Sequence, residues 1–550
     1  MTSPAQTPTP QFTAGNTPDA PRSDLAGLLT ELAAGLLGIG YTVDGVAELL
    51  GEAAHSALSR DQLIPALIAT GPAIQADPAT AALAAVVRLW LLAEPQPAAA
   101  LDAALPGVGA GGLQELGLVE DSTDGLLQAK VDLRPYGWDP IYSEDGDSSG
   151  GADLWVASDL AAHQRPGVLR HDHVLGIGQA STTLVQVTAR RHAARALDLG
   201  TGCGIQTFHL LHHCDHVTAT DISARALAFT RFNLLLNAAA LHLDPADLES
   251  RVSLRLGSLL EPVAGEEFDL VVSNPPFVIT PRNPGEAAAQ QFTYRDGGLP
   301  GDEIVASLVQ ALPSVLAPAG TAQLLGNWEI TAGTSWTTRP QGWAGPDADV
   351  WFIQREQVGP EQYAETWLQD ASESRDRQLY QDSYAAYLND FASRNVTGIG
   401  FGMIWLRRPA GGTVPVMSRF EEITYPIEQP VGPHLGASVE RTDWVASHDL
   451  AASHLVVADD VTEERHQRPG AEHPGVILLR QGAGLRRTNL LSTELAGLVS
   501  ACDGDLAVGQ IIGALEALLG GYDGFDAGSF REGLLADVAN LVRDGFLIPA

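Results

Sequence analysis

The sequence predicts an α/β protein built around a mostly parallel, doubly wound sheet, with a smaller domain before it and another after it. Two observations carry this prediction. Apolar strand segments alternate with helical segments between residues 195 and 330, and such alternation gives parallel strands joined by right-handed crossovers. A glycine-rich turn, Asp198-Leu-Gly-Thr-Gly-Cys-Gly, connects the first of these strands to its helix. Ligands of such sheets bind at the carboxyl ends of the strands, so a site is predicted there.

The N-terminal part is predicted to be a disordered tail followed by a helical domain. Residues 1–22 are rich in Pro, Thr and Ala and lack the pattern of a signal peptide. Residues 23–140 repeat apolar residues at helical spacing, and an alternating pattern follows near 117–134. Helices followed by a small hairpin fit a winged-helix-like domain, and they fit a plain helical cap equally well.

The central domain is predicted to cover residues 141–455, with its core at 172–330. The core strands are predicted at 196–199, 216–220, 252–256, 268–273 and 321–325, with a helix starting at Ile205 and helices at 225–237 and 302–316. Four polar residues stand at or near the strand ends: Asp198, Asp221, Ser258 and Asn274. Further strands within 349–408 are predicted to complete a seven-stranded sheet.

The C-terminal part is predicted to be a separate small domain. Residues 456–475 are charged and contain proline, which indicates a linker. Residues 476–550 combine a strand with three helices, which again suggests a winged-helix-like domain. A basic cluster of Arg480, Arg486 and Arg487 fits contact with nucleic acid, docking of a partner protein or ordinary surface charge.

The composition limits the classes of partner. The chain has 550 residues, and 67 acidic against 32 basic residues give a formal net charge of −35. Such a charge disfavours a polyanion-binding surface over the whole protein, while a local basic patch stays compatible with it. Three cysteines without pairing or metal-like spacing indicate a reducing compartment, so we expect a cytoplasmic protein. A membrane span needs about twenty consecutive apolar residues, and the sequence has no run of that length, so no span is predicted.

Two motifs resemble those of a known superfamily. The turn at residues 198–204 resembles the first motif of class I S-adenosylmethionine-dependent methyltransferases. Asn274-Pro-Pro-Phe resembles the motif of the members that methylate exocyclic or amide nitrogens. The span 172–330 is similar to the small-domain methyltransferases, which include release-factor glutamine methyltransferases and ribosomal RNA guanine-N2 and adenine-N6 methyltransferases. The resemblance implies a Rossmann-like seven-stranded core, S-adenosyl-L-methionine as cofactor and no metal.

The resemblance also implies which residues bind the cofactor. Backbone amides of the glycine turn would follow its methionine part, and Asp198 would fix the turn and face the amino group. Asp221 would accept both ribose hydroxyls, a task suited to a carboxylate. Ser258 stands where the family often has Asp, and Thr182 could reach the cofactor carboxylate. The full predicted set is Asp198, Gly200, Thr201, Gly202, Gly204, Asp221, Ile222, Ser258, Leu259, Asn274 and Thr182.

The predicted catalytic residues are Asn274, Pro275, Pro276 and Phe277. The lone pair of an NH₂ group on a planar carbon is delocalised, which makes the nitrogen a poor nucleophile. The Asn274 side-chain oxygen and the Pro275 carbonyl can accept its two hydrogens and direct the lone pair toward the methyl group. Phe277 offers a face to a planar base or amide. A lid is predicted at 294–298, in the loop after this motif.

The acceptor is expected to be an exocyclic amino group of a nucleic-acid base, in RNA, at adenine N6 or guanine N2. Phe277, where Tyr would be the other common residue, and the two suggested winged helices favour this reading. The alternative is the amide of a protein glutamine, as in release-factor methyltransferases, and the acidic charge favours it. A second alternative is a non-catalytic module that binds the cofactor and a partner. The predicted partner is therefore nucleic acid or a protein substrate, and no membrane.

Overall fold

The computed structural model describes residues 12, 17–122, 124–138, 141–142, 148–149, 151–162, 164–165, 169–282, 297–370, 376–520 and 526–550. The chain divides into two compact units. Unit 1 comprises Met1–Leu184, His192–Ala348 and Glu356–Gly411, and unit 2 comprises Val185–Arg191, Asp349–Arg355 and Gly412–Ala550.

Unit 1 begins with six helices, in agreement with the apolar spacing of this region. They are α1 (Ala26–Gly38), α2 (Val43–Leu58), α3 (Ile64–Ala73), α4 (Pro78–Trp90), α5 (Ala98–Ala104) and α6 (Gly109–Glu115). Side chains cap two of them: Thr42 accepts from the Gly45 N–H at the start of α2, and Asp77 accepts from Ala79 and Thr80 at the start of α4. These contacts satisfy backbone donors that have no partner inside the helix.

Short strands follow these helices. They are β1 (Val119–Asp121), β2 (Leu127–Ala129), β3 (Asp132–Trp138), β4 (Ile141–Tyr142), β5 (Ser148–Ser149) and β6 (Ala152–Ser158). Strands β1 and β2 pair antiparallel, so the hairpin predicted near 117–134 is present. Strands β3 and β6 also pair antiparallel. The winged-helix identity of this region stays a prediction.

The central region alternates strands and helices, as the sequence predicts. Its elements are α7 (Gln179–Val187), β7 (Ala193–Leu199), α8 (Ile205–Leu210), β8 (Cys214–Asp221), α9 (Ala224–Leu236), β9 (Val252–Leu256), β10 (Phe268–Ser273), α10 (Glu303–Ala311), β11 (Leu316–Thr331), α11 (Thr338–Trp343), β12 (Asp349–Val358), α12 (Pro360–Asp370), α13 (Arg377–Ser393) and β13 (Val396–Arg407).

In unit 1 the described strands of the central sheet follow the order β13-β11-β10-β7-β8-β9. Strand β10 pairs in parallel with β11 and β7, and β8 pairs in parallel with β7 and β9. Strand β13 runs antiparallel to β11. The apolar runs of β7 and β10 are buried, as expected for strands with helices on both faces. The predicted α/β core with a mostly parallel sheet is therefore confirmed.

The carboxyl ends of β7 and β10 lie side by side. In the parallel register Ser273 is the partner of Leu199, and the Ser273 hydroxyl donates to the Leu199 carbonyl at 2.8 Å. The next residues in the chain are Gly200 and Asn274. The glycine turn and the Asn-Pro-Pro-Phe motif therefore start from adjacent points of one sheet edge.

Unit 2 has its own core. Strand β12, which lies mostly in this unit, pairs in parallel with β14 (Ser418–Glu422). The remaining elements are α14 (Gly432–Ser447), β15 (His454–Val457), β16 (Val461–His466), β17 (Val476–Gln481), β18 (Thr488–Leu491), α15 (Thr493–Val499), β19 (Asp503–Ala507), α16 (Val508–Leu519), α17 (Ala527–Asp544) and β20 (Leu547–Pro549). Leu498, Ile512, Val538 and Leu541 are among its fully buried residues.

The predicted linker at 456–475 is partly a strand. Strand β16 pairs antiparallel with β17 over its whole length, from Val461 opposite Gln481 to His466 opposite Val476. Its sequence, Val-Thr-Glu-Glu-Arg-His, is mostly charged and largely exposed, and this charge is what indicates a linker from the sequence alone. The three predicted helices after it are present as α15, α16 and α17, while a winged-helix identity stays a prediction.

Over the described residues, length and composition allow none of the helices to cross a membrane alone. The consecutive helices α1 and α2, which meet at an angle of 42°, satisfy the same criteria when taken as a pair.

Candidate cofactor and acceptor site

The glycine turn after β7 has the backbone geometry that its sequence suggests. Gly200, Gly202 and Gly204 have φ angles of 77°, 58° and 94°, in the left-handed region that favours glycine. A Cβ atom on Gly200 or Gly202 would meet no heavy atom within 4 Å, whereas one on Gly204 would lie 3.1 Å from Thr230 Cγ2. The first two glycines thus border open space, and the third packs closely against helix α9.

Hydrogen bonds of the Asp198 side chain stabilise this turn. Its Oδ2 accepts from the Thr201 hydroxyl at 2.7 Å and from the Thr207 N–H and hydroxyl at 3.0 and 2.6 Å. The side chain is 1% exposed, and this burial raises its pKa to about 6 against the hydrogen bonds, which lower it. Asp198 therefore ties the start of the turn to the first turn of α8.

Asp221, at the end of β8, reaches the same turn. Its Oδ2 accepts from the Gly202 N–H at 3.0 Å, and its Oδ1 accepts from the Ser223 N–H at 2.8 Å. Burial raises its pKa. A carboxylate has about four lone-pair positions, so acceptor capacity is left after these two bonds. The neighbouring Ile222 is 59% exposed, which gives the site an apolar surface beside the carboxylate.

Ser258 and Leu259 lie at the end of the adjacent strand. The Gly257 N–H donates to the Asp221 carbonyl at 3.0 Å, so the loop after β9 lies next to the end of β8. Leu259 has a φ of 48°, a left-handed conformation that is unusual for leucine. The structure thus brings the residues predicted after β7, β8 and β9 to one sheet edge.

The Asn-Pro-Pro-Phe motif follows β10 at this edge. The Asn274 Oδ1 is buried and has no hydrogen-bond partner among the described residues. The Pro275 carbonyl accepts from the Phe277 N–H at 2.8 Å, which leaves its second lone pair. A buried acceptor without a partner costs free energy, so an oxygen of this kind is expected where a ligand supplies the missing donor.

Thr182 does not point into this group. Its hydroxyl donates within helix α7, to the Gly178 and Gln179 carbonyls at 3.4 and 3.0 Å. The Gln206 side chain, at the start of α8, donates to the Ser181 carbonyl at 2.9 Å. The backbone of α7 therefore lies near the glycine turn while the Thr182 side chain is engaged elsewhere. Residues 294–296 of the predicted lid lie outside the described residues.

Several supporting residues are absent from the sequence prediction. Thr230, on α9, donates to the Gly202 carbonyl at 2.9 Å, and Asn233, one turn later, donates to the Cys203 carbonyl at 2.9 Å. Tyr363 accepts from the Ile279 N–H at 2.8 Å, and Trp367 packs edge-on against Phe277 with 6.5 Å between ring centroids. Thr230 and Asn233 are three residues apart in a predicted helix and therefore lie on one face of it. This spacing is a sequence signal from which the two residues could have been predicted as a pair.

The residues present fit S-adenosylmethionine. There is open space over Gly200 and Gly202, and Asp221 keeps acceptor capacity beside the exposed side chain of Ile222. The unpartnered oxygen of Asn274 belongs to the residue that follows the neighbouring strand β10. The glycine turn can bind the amino-acid part of such a molecule. The Asp221 carboxylate can accept hydrogen bonds from its ribose hydroxyls, and Ile222 can pack against its adenine ring. An unpartnered oxygen next to this space can accept from an N–H group of a second molecule.

Two family models match the chain. Residues 159–294 match the methyltransferase small domain, and residues 38–129 match a domain of unknown function (DUF7059).

Curated relatives match part of the chain. A ribosomal protein uL3 glutamine methyltransferase of Bradyrhizobium diazoefficiens is 31% identical over 159 residues, which cover 28% of this chain and 46% of the relative. A release factor glutamine methyltransferase of Geobacter sulfurreducens is 32% identical over 165 residues, covering 28% and 51%. The chain thus spans about half the length of these relatives.

Solved structures are similar at low identity. A methyltransferase from Thiobacillus denitrificans in complex with S-adenosyl-L-homocysteine has 17% identity and a TM-score of 0.22, covering 42% of this chain and 91% of that one. A methyltransferase from Pyrococcus furiosus has 14% identity and a TM-score of 0.24, covering 44% and 90%.

The predicted nucleic-acid base acceptor is wrong. The named relatives are glutamine methyltransferases, and none of those cited carries the name of an RNA enzyme. The physical reason for the error is that a base amino group and a side-chain amide both present NH₂ on a planar carbon. Asn274 and the Pro275 carbonyl serve either one, so the motif alone does not separate them. RNA modification and nucleic-acid binding are likewise unsupported.

The predictions of family and cofactor are confirmed for the domain. The matched range begins at the end of β6 and contains the glycine turn, Asp221 and Asn274. The chain contains a class I S-adenosylmethionine-dependent methyltransferase domain of the methyltransferase small domain family.

Proposed function

We propose that the protein transfers a methyl group from S-adenosylmethionine to the side-chain amide nitrogen of a glutamine in a protein substrate. The observation that carries this proposal is the buried, unpartnered Oδ1 of Asn274 at the end of β10. Asn274 follows β10 beside the glycine turn, because Ser273 and Leu199 are register partners in adjacent parallel strands. An acceptor for an N–H group thus stands next to the space assigned to the cofactor.

The cofactor is held by the ends of three strands. The backbone at Gly200–Gly204 borders its methionine part, with Asp198 fixing the turn. Asp221 receives the ribose hydroxyls, and Ile222 with Ser258 and Leu259 borders the adenine. Thr182 is left out of this set, because its hydroxyl and its N–H both donate to carbonyls at the start of α7. Every one of these positions belongs to the set predicted from the sequence.

The acceptor amide is oriented by two oxygens. Bound S-adenosylmethionine supplies a methyl group on a positively charged sulfur. Asn274 Oδ1 accepts one hydrogen of the amide NH₂ and the Pro275 carbonyl accepts the other, so that the nitrogen lone pair faces that methyl. The new N–CH₃ bond forms as the S–CH₃ bond breaks, the sulfur keeps the bonding electrons, and one N–H proton leaves to solvent. Phe277 packs against the planar amide.

The charge of the chain also supports a protein acceptor. The formal net charge of −35 repels a polyanion at long range, and phosphate contacts with basic residues supply most of the affinity in nucleic-acid complexes. Arg487, a member of the predicted basic cluster, pairs with Glu421 at 2.9 Å and is only 9% exposed. Arg480 pairs with Glu464 at 2.6 Å. These two cations are therefore neutralised by carboxylates of unit 2.

We further propose that the flanking parts, residues 23–140 and 476–550, are accessory domains that select the protein substrate. The names of the relatives make a release factor and ribosomal protein uL3 the first substrates to test. Neither flanking part overlaps the range matched by the methyltransferase small domain, so substrate choice can differ from that of the relatives.

The test uses labelled cofactor and an extract of the source cells. The protein is incubated with S-adenosylmethionine that carries a labelled methyl group, and the products are treated with RNase or with protease. Label that survives RNase and is released by protease supports the proposal. Label that is released by RNase contradicts it. The Asn274→Ala variant is the control, because it should bind cofactor and transfer no label.

A further inference from the structure

The segment after the Asn-Pro-Pro-Phe motif is anchored by a helix that lies outside the matched methyltransferase range. The Tyr363 hydroxyl, on α12, accepts from the Ile279 N–H at 2.8 Å and from the Asn327 side-chain amide at 3.1 Å. Asn327 belongs to β11, the strand next to β10. One hydroxyl therefore connects the acceptor loop to the neighbouring strand of the sheet.

Apolar packing fixes the same point. Ile279 and Tyr363 are each 1% exposed and belong to one buried cluster of unit 1. The Tyr363 ring packs edge-on against Phe391 at 5.5 Å and stacks on Phe401 at 5.8 Å. Burial raises the pKa of Tyr363 well above its usual value of 10.0, so the hydroxyl keeps its proton at physiological pH. The anchor is rigid and uncharged.

The same helix face supports Phe277. Trp367 lies four residues after Tyr363, so the two side chains project from one face of α12. Its ring packs against Tyr363 at 6.0 Å and against Phe277 at 6.5 Å, the latter edge-on with an interplanar angle of 79°. Helix α12 thus contacts the loop at two places on either side of Val278.

The loop between its two anchors has few soft torsions. The Ser273 hydroxyl fixes one end to Leu199, and Tyr363 fixes the other end at Ile279. Pro275 and Pro276 lie between them, and each proline ring locks its own φ and restricts the residue before it. A displacement at Ile279 is therefore transmitted along the loop to Asn274.

We propose that Tyr363 is a positioning residue for methyl transfer: by holding the Ile279 backbone it sets the orientation in which Asn274 meets the acceptor amide, with Trp367 supporting Phe277. This inference rests on the proposed function and extends it to a part of the chain outside the matched range. A displacement of about 1 Å at a reacting group can cost about a hundredfold in rate, so one hydroxyl at this point is enough to matter.

The test compares Tyr363→Phe with Tyr384→Phe. The first removes only the hydroxyl and keeps the buried ring. The second is the matched control, since Tyr384 is a half-buried tyrosine of the next helix whose hydroxyl makes a 3.4 Å contact with Glu365. For each variant we measure amide hydrogen exchange at Ile279, cofactor affinity, thermal unfolding, and turnover with purified release factor and ribosomal protein uL3.

For Tyr363→Phe we expect exchange at Ile279 to be at least about tenfold faster, because the amide loses its acceptor. Turnover should fall about tenfold with cofactor Kd within about twofold of wild type, while the melting temperature falls below that of Tyr384→Phe because two buried donors lose their acceptor. A merely structural role would lower the melting temperature and the cofactor affinity together. That pattern, or turnover equal to wild type, overturns the proposal.

The exchange measurement separates this inference from the proposed function. The exchange measurement needs no methyl-acceptor protein. If exchange at Ile279 is as slow in Tyr363→Phe as in wild type, the proposed anchoring is wrong. If wild type labels neither protein, the proposed glutamine acceptor fails, and faster exchange in Tyr363→Phe still supports the anchoring of the loop.

Discussion

The Gly202 N–H donates to Asp221 Oδ2 at 3.0 Å and so joins the ends of two adjacent strands. The same carboxylate accepts from Ser223 at the start of α9. A single side chain thereby fixes the glycine turn and keeps lone pairs for a ligand. Loss of the Asp221 carboxylate should therefore affect both the turn and the binding of a ligand.

Asp221→Ala should weaken S-adenosylmethionine binding about 10- to 100-fold, because a hydrogen bond to a charged group contributes about 1.5–3 kcal/mol. Calorimetric titration measures the Kd. Asp215→Ala is the control, since Asp215 lies six residues earlier in the same strand with its side chain 65% exposed. Equal cofactor affinities for the two variants would remove Asp221 from the site.

Gly200→Ala should lose cofactor binding for a steric reason. Gly200 has φ 77° and Gly412 has φ 85°, and a Cβ on either would meet no heavy atom within 4 Å. Alanine costs each backbone about 1–2 kcal/mol, so the thermal stabilities of the two variants should fall similarly. Only at Gly200 does the added methyl enter the proposed cofactor space. We expect at least about a tenfold higher Kd there and an unchanged Kd for Gly412→Ala.

Asn274→Ala should separate binding from chemistry. The Asn274 Oδ1 has no partner in the described part of the chain, so its removal breaks no hydrogen bond and should leave the melting temperature unchanged or higher. Turnover should fall at least about a hundredfold, as when one preorganised polar group is removed from an active site. Asn540→Ala, at an exposed position of α17, is the control. Substantial turnover by Asn274→Ala would show that this oxygen does not orient the acceptor.

Asp198→Asn should change how stability depends on pH. Burial raises the pKa of Asp198 from 3.8 to about 6, so the folded protein binds this proton more tightly than the unfolded chain. The resulting stabilisation is fully present below about pH 4 and is lost as the pH rises through about 6. It amounts to about 3 kcal/mol at most, at about 1.4 kcal/mol per pKa unit.

Thermal unfolding from about pH 4 to about pH 8 checks this prediction. Asn keeps an oxygen for the Thr201 and Thr207 donors and does not titrate, so wild type should lose stability relative to Asp198→Asn across this range. A constant difference between the two melting curves would mean that Asp198 does not titrate with a raised pKa.

The sequence was sufficient for the features that depend on local pattern. The alternation of strands and helices, the positive φ of the glycines at the turn, and the strand-end positions of Asp221 and Asn274 follow from residue type and spacing. The choice of base over amide was wrong because both acceptors place NH₂ on a planar carbon. No local pattern in Asn274–Phe277 distinguishes them.

Contacts between residues far apart in the sequence could not be predicted from the sequence. Tyr363 meets Ile279 across 84 residues, and nothing in the spacing of either segment pairs them. The charged residues of β16 indicate a linker, and the pairing with β17 that makes this segment a strand is visible only in three dimensions. The predicted domain boundaries and the winged-helix identities remain predictions for the same reason.

The most direct test of the account is to locate the transferred methyl group by mass spectrometry. Purified protein is incubated with S-adenosylmethionine and with release factor or ribosomal protein uL3, and the acceptor is digested and sequenced. The account predicts one added methyl group on the side-chain amide of a glutamine, absent with Asn274→Ala. A methyl group on any other residue type, or none on either protein while wild type transfers methyl to RNA, would contradict it.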